Sequence, residues 1–148
     1  MTIIEAINKI DALVPNMYLL QEKLSWLSRV DSLLDKEVIS THEPNRHFHR
    51  LPGIIVYRDE PVPDPEHGHH RQERFHGYDE NTPQDTVLIA PEPYDDLYIY
   101  FMQMQIDYFN GEYDKYNNSA QMFQSAYDAF KNYWNRTHTP KTARNNYY

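Results

Sequence analysis

The longest sustained pattern of apolar and polar positions runs from Tyr94 to Trp134. Tyr94, Leu97, Phe101, Met104 and Tyr108 recur at alternating steps of three and four. Tyr113, Tyr116, Ala120, Phe123, Tyr127, Phe130 and Trp134 then do the same. This is the period of an α-helix with one apolar face. Asn110-Gly111 separates the two runs, and the seams are out of phase by one residue across it. Glycine takes the left-handed conformation that ends a helix without a Cβ clash. The pattern predicts a helical hairpin, with a single kinked helix as the alternative. Phe101, Tyr108, Phe123, Tyr127, Phe130 and Trp134 are expected to form its core, packed on Leu20, Leu24 and Leu27. A seam this rich in Tyr and Trp is a core stripe with polar tips at its edge, or in part a protein-facing surface, where these residues are enriched.

The N-terminal segment carries two more helical patterns. Thr2 followed three residues later by Glu5 matches a capping box, and Ile3, Ile7, Ile10 and Val14 then share a face. Pro15 ends that helix, because proline lacks an amide proton and disfavours the helical conformation for the residue before it. Asn16 is the expected cap of a second helix. Leu20, Leu24, Leu27, Leu34 and Val38 lie on one face of it, widened by Trp26, Val30 and Leu33 and interrupted by Asp31. It is expected to end near Ser40 or Thr41.

From Thr41 to Pro93 helical periodicity is absent, and this stretch holds eight of the ten prolines and seven of the eight histidines. Two short β-prone runs, 53–57 and 86–90, flank a stiff Pro61-Val62-Pro63-Asp64-Pro65 piece and a His-rich segment. A long structureless insertion in a compact domain needs a function or a pairing partner. The two runs are expected to pair as an antiparallel ribbon on a projecting arm. Its residues Ile54, Ile55, Val56, Val87, Leu88 and Ile89 would be available to a neighbouring subunit. The C-terminal stretch 137–148 is expected to be a flexible tail. It contains Thr137, Lys141, Arg144, Tyr147 and Tyr148 and no acid, a pattern that fits a frayed terminus or a docking peptide.

The fold class that follows is mainly α: a helical bundle with a C-terminal helical hairpin and a long insertion carrying a small β-ribbon. It is expected as a single domain over 1–148, with the helical body at 1–41 and 93–136 and the inserted arm at 42–92. Composition narrows the function classes. A net charge of −8 disfavours general nucleic-acid binding. The absence of cysteine removes disulfides and thiol chemistry. No secretory leader is expected at the N-terminus, and no apolar run reaches the roughly 18 residues of a membrane span. Two glycosylation-like triplets, at Asn117 and Asn135, fall on a predicted helix and are read as chance matches.

Candidate chemistry is sparse. His67, His69 and His70 lie close together and His47 and His49 are two apart, but no spacing matches a zinc motif. Asp95 and Asp96, like Glu112 and Asp114, are first-turn acids that complement a helix dipole. There is no glycine-rich phosphate loop and no nucleophile beside a base. The reading is therefore non-enzymatic, with no catalytic, cofactor-binding or metal-ligating residue singled out and no cofactor expected.

The run Ala90-Pro91-Glu92-Pro93-Tyr94-Asp95-Asp96-Leu97-Tyr98 resembles small proteins encoded among the head genes of tailed bacteriophages. So do the stretches from Gln105 through Gly111-Glu112-Tyr113 to Ser119 and from Tyr133-Trp134 to Thr137. These proteins belong to, or sit beside, the head–tail connector (adaptor, or head-completion) family. The similarity covers the C-terminal third strongly, the first two helices more loosely and the stretch 42–85 not at all. It implies a virion protein of the neck, made in the host bacterial cytoplasm. It implies a homo-oligomeric ring, commonly about twelve copies, binding the portal and the next neck or tail component. Such a ring continues the DNA channel for genome packaging and DNA ejection without sequence-specific binding, and it has no membrane role. The alternative is a small regulatory or binding protein whose His-rich segment binds a metal ion.

Overall fold

The computed structural model describes residues 1–42 and 75–138. The run 53–57 with Ile54, Ile55 and Val56, the histidines from His47 to His70, and Lys141, Arg144, Tyr147 and Tyr148 lie outside the described residues. Regular structure within them is helical: α1 (Ile3–Leu13), α2 (Leu20–Glu37) with a short 3-10 turn at Ile39–Thr41, α3 (Asp96–Phe109) and α4 (Tyr113–Thr137).

The aromatic hairpin forms, with Phe101, Phe123, Tyr127, Phe130 and Trp134 in the core as expected, but Tyr108 (52% exposed) and Leu20 (40%) lie at the surface because they sit at the end of the bundle, where no further element covers them. α3 and α4 run antiparallel, with Phe101 against Phe123 at 5.2 Å between ring centroids and Tyr94 stacked on Tyr133 at 4.6 Å. Gly111, at φ +73°, makes the turn. A Cβ there would meet nothing within 4 Å, so only the backbone conformation demands glycine. Gly111→Ala is expected to cost about 1–2 kcal/mol in a denaturant melt and Gly111→Asn less, since asparagine tolerates the left-handed region.

α2 lies antiparallel to α3. Its first half meets the end of α3 through Trp26 and Phe109, and its last turn meets α4 through a 2.6 Å hydrogen bond from Tyr127 to Glu37. α1 crosses the start of α3, where Lys9 pairs with Asp96 and the Met1 amine with the buried Asp95, each at 3.2 Å. The capping box of Thr2 and Glu5 is present. The amides of Ile3 and Ile4, orphaned at any helix start, donate to the carbonyls of Thr86 and Gln84.

Three further expectations need correction. Asn16 does not cap α2, which begins at Leu20. Its amide donates to Asp11 and to the Val14 carbonyl and holds the α1–α2 loop in place. The start of α2 uses Glu22 instead, which accepts the Leu19 amide at 2.9 Å. The run 86–90 is not a strand on a projecting arm. Val87 forms one isolated antiparallel bridge with Thr2, while Leu88, Ile89 and Ala90 are buried in the body. A short run without polar alternation is covered on both sides, and here the cover is the chain's own helices. The body therefore resumes by Phe75, itself in the core with Tyr78, and not at residue 93. Lastly, Thr137 is the final residue of α4, its hydroxyl donating to the Tyr133 carbonyl, so the helix reaches into the stretch expected as tail.

Candidate interaction surface

The end of the bundle that carries Gly111 gathers apolar side chains in water. The α1–α2 loop lies beside the α3–α4 turn, and the Tyr18 hydroxyl donates to Asn110 at 2.8 Å. Tyr18 meets Trp26 edge-on at 5.4 Å, Trp26 lies parallel to Phe109 at 6.3 Å, and Phe109 touches Tyr108 at 5.4 Å. Trp26 is buried, whereas the outer members are not: Phe109 is 59% exposed and Tyr108 52%. Met17 stands almost wholly in solvent at 98%, with Leu19 and Tyr113 also exposed. Large apolar groups exposed on two adjoining loops and the helix ends beside them make this end the candidate interaction surface. Exposed acids stand at the same end: Glu22 and Asp114, and Glu112 paired with Lys115 at 3.0 Å.

The opposite end is built differently. α4 outruns α3, and Trp134 packs there against the edge of His42 and flat on His138, at 3.6 Å and 4°. His42 is buried, its Nδ1 set 2.7 Å from the Val38 carbonyl. Burial holds His138 below its ordinary pKa, and the nearby His42 charge adds to that against an opposing backbone hydrogen bond. Lys131 and Arg136 are exposed on the last turns of α4.

The centre holds a fully buried carboxyl. Asp31, read in the sequence as an interruption of the α2 stripe, is fully buried. Its carboxylate accepts from the hydroxyls of Tyr78 and Tyr98 and from the Ile89 amide, and the Tyr98 oxygen accepts the Ala90 amide at 2.8 Å. Burial pushes the carboxyl up to about 7 against the hydrogen bonds that favour its charge, and raises both tyrosines above their ordinary values. A carboxyl poised near neutrality suits acid–base chemistry. Here every named partner is its own chain, so Asp31 acts as the joint between α2, α3 and residues 78–90. Asp107 is likewise buried and accepts from Ser119 across the hairpin at 2.7 Å. A groove of about 400 Å³ runs between α2 and residues 76–80, lined by Ser25, Ser28, His76, Tyr78 and Glu80 among others.

Of the residues singled out in the sequence as partner-binding, Leu88 and Ile89 are buried inside the body, and Val87 (44% exposed) and Thr137 are at the surface, well apart from the apolar end. Met17, Leu19 and Phe109 were not singled out. A signal for the first two existed in Met17-Tyr18-Leu19-Leu20, four apolar residues that begin two positions after a helix-ending proline. Among the described residues no group of three or more His, Cys, Asp or Glu side chains is arranged to hold a metal ion, and no helix is long and apolar enough to cross a membrane.

These features define a small helical bundle organised on an aromatic hairpin and presenting an apolar, acid-flanked end. No protein-family model, curated protein or solved structure matches the chain.

Proposed function

We propose that this chain is a structural subunit of the head–tail junction of a tailed bacteriophage. It forms a homo-oligomeric ring on the portal, carries the next neck or tail component and lets DNA pass through a shared channel. The resemblance of residues 90–98, 105–119 and 133–137 to connector proteins leads to this reading. The observation that carries it is the apolar end, where Met17, Leu19, Phe109 and Tyr113 are exposed together on a chain with a buried core of its own. A surface of that kind suits a subunit whose working state is an assembly. The net charge of −8 suits a wall past which DNA slides without adhering. In this role Lys141, Arg144, Tyr147 and Tyr148 are docking residues for the portal or a neighbouring subunit, charge speeding encounter and the aromatic rings anchoring it.

The test is association with purified portal protein, read by size-exclusion chromatography with light scattering, together with mass spectrometry of purified particles. The expected result is a portal-bound ring of roughly a dozen copies and the chain present in the virion. A chain that ignores the portal and is missing from particles overturns the reading. A tight, stoichiometric metal titration in that case selects the regulatory alternative with its His-rich segment.

A further inference from the structure

Asn110 is the only asparagine in the chain that is followed by glycine. Both residues are exposed, and the space about Gly111 is open. This pair has a reaction of its own, because no side chain at Gly111 screens its peptide nitrogen. That nitrogen attacks Cγ of Asn110 and gives its proton to solvent. The side-chain nitrogen leaves as ammonia, and a succinimide ring closes. Water then opens the ring at either carbonyl, leaving aspartate or isoaspartate. The net exchange is water in and ammonia out, with no oxidant, cofactor or second protein.

The seated hairpin turn holds the reacting atoms apart. Asn110 has ψ −5°, so the Gly111 nitrogen nearly eclipses the Asn110 nitrogen about the Cα–C bond and stands away from Cβ and Cγ. The Gly111 amide donates to the Tyr108 carbonyl at 3.1 Å, which ties the nucleophile to α3. The Tyr18 hydroxyl donates to Oδ1 of Asn110 at 2.8 Å, which ties the electrophile to the α1–α2 loop. Tyr18 is itself seated against Trp26 and Phe109, with ring centroids at 5.4 and 6.3 Å.

We infer that Asn110-Gly111 is a self-modification site latched by the α1–α2 loop. Copies whose loop has let go of the turn convert Asn110, and copies with the loop seated are spared. Local opening of this kind is ordinary for a loop at the edge of a fold. The product does not return to asparagine. Its carboxylate lies at the C-terminal end of α3, the negative end of the helix dipole, with Glu112 two residues on. Isoaspartate also routes the main chain through the side-chain methylene and lengthens a turn that Gly111 makes at φ +73°. Conversion therefore puts a new negative charge and a slack turn into the candidate interaction surface, beside the exposed Tyr108 and Phe109. The chemistry is the chain's own and does not rest on the connector reading.

The test compares the wild-type chain with Tyr18→Phe and with Asn16→Ala. Phenylalanine keeps the ring contacts and removes only the latching hydroxyl. Asn16→Ala loosens the loop by losing the bonds to Asp11 and the Val14 carbonyl, without touching the turn. Circular dichroism checks that both variants keep the wild-type helical content. Each chain is incubated in neutral buffer and, separately, in urea, then digested with trypsin and read by mass spectrometry. The peptide from Phe75 to Lys115 carries Asn81 and Asn110 together, so Asn81 serves as an internal reference. In native buffer Tyr18→Phe is expected to convert Asn110 about two- to tenfold faster than the wild type, the range for losing one hydrogen bond. Asn16→Ala is expected to act in the same direction. Asn81 is expected to convert equally in all three chains, and urea to erase the differences at Asn110. If native Asn110 stays intact in both variants, converts in both at the wild-type rate, or rises only in step with Asn81, the inference is overturned. No portal takes part, so the connector reading is untouched by the outcome.

Discussion

Phe130→Ala is expected to lower the unfolding free energy by about 3–5 kcal/mol, the range for removing a buried aromatic ring and leaving its cavity. Phe130 is fully buried in α4 and tilts against Tyr133 and Trp134, with ring centroids at 6.3 and 5.8 Å. A ring at 0% exposure is enclosed on all sides, so its removal leaves a cavity. Tyr113 belongs to the same heptad-like seam but stands in water, and Tyr113→Ala is expected to change stability by no more than about 0.5 kcal/mol. Urea melts of the two variants separate the possibilities. Equal losses would mean that the seam is uniformly buried, and a small loss at Phe130 would place the core elsewhere.

The second large effect is a dependence of stability on pH that belongs to Asp31. Its folded-state pKa is raised to about 7 from an ordinary 3.8, burial being the main cause. A raised carboxyl pKa means the folded state holds the proton more tightly than the unfolded chain. The stability linked to that proton is complete below about pH 4 and is lost as pH rises through 7. Over that window the loss is on the order of 4 kcal/mol. Asp31→Asn removes the titration while keeping an acceptor for Tyr78 or Tyr98. The difference in unfolding free energy between wild type and Asp31→Asn is therefore expected to be flat below pH 4, to shift against the wild type between pH 4 and 7, and to level off above. Paired melts at half-unit pH intervals measure it. A difference that does not move with pH would show that the hydrogen bonds of Tyr78, Tyr98 and Ile89 offset burial and leave the carboxyl at its ordinary pKa.

Asp31 also shows where sequence reasoning reached its limit. The four helices, the capping box at Thr2 and the break at Asn110-Gly111 were all legible, because each rests on short-range periodicity or on local backbone chemistry. An aspartate on an apolar stripe reads locally as an interruption. Only the return of Tyr78 and Ile89 from elsewhere in the chain makes it a joint. The run 86–90 was misread for a related reason. Its apolar, β-branched residues suit a paired strand and equally suit a buried connector, and its position against α1 decides between them. In α3 the predicted seam of Tyr94, Leu97, Phe101, Met104 and Tyr108 was too narrow. Tyr98, Met102 and Ile106 are buried as well, because this helix is covered by α4 on one side and by α1 and α2 on another. Burial on two sides widens a stripe beyond what one-faced periodicity marks. The apolar end was hidden because Met17 and Leu19 lie on a loop, where no period applies, while Tyr108 and Tyr113 belong to the helical seams and read as core, although the seams run past the end of the cover the other helices provide.

The placing of the two indoles has an optical consequence. Trp26 and Trp134 are the only tryptophans in the chain, and they sit at opposite ends of the bundle. Trp26 lies under Phe109 at the apolar end, and Trp134 lies flat on His138 at the opposite end. The molecule thus carries its own pair of fluorescent labels in unlike surroundings, one beside an imidazole whose protonation quenches emission and one shielded by hydrocarbon and aromatic rings. With either tryptophan changed to phenylalanine, the remaining emission reports on a single end, and events at the two extremities become separable in solution without any added dye.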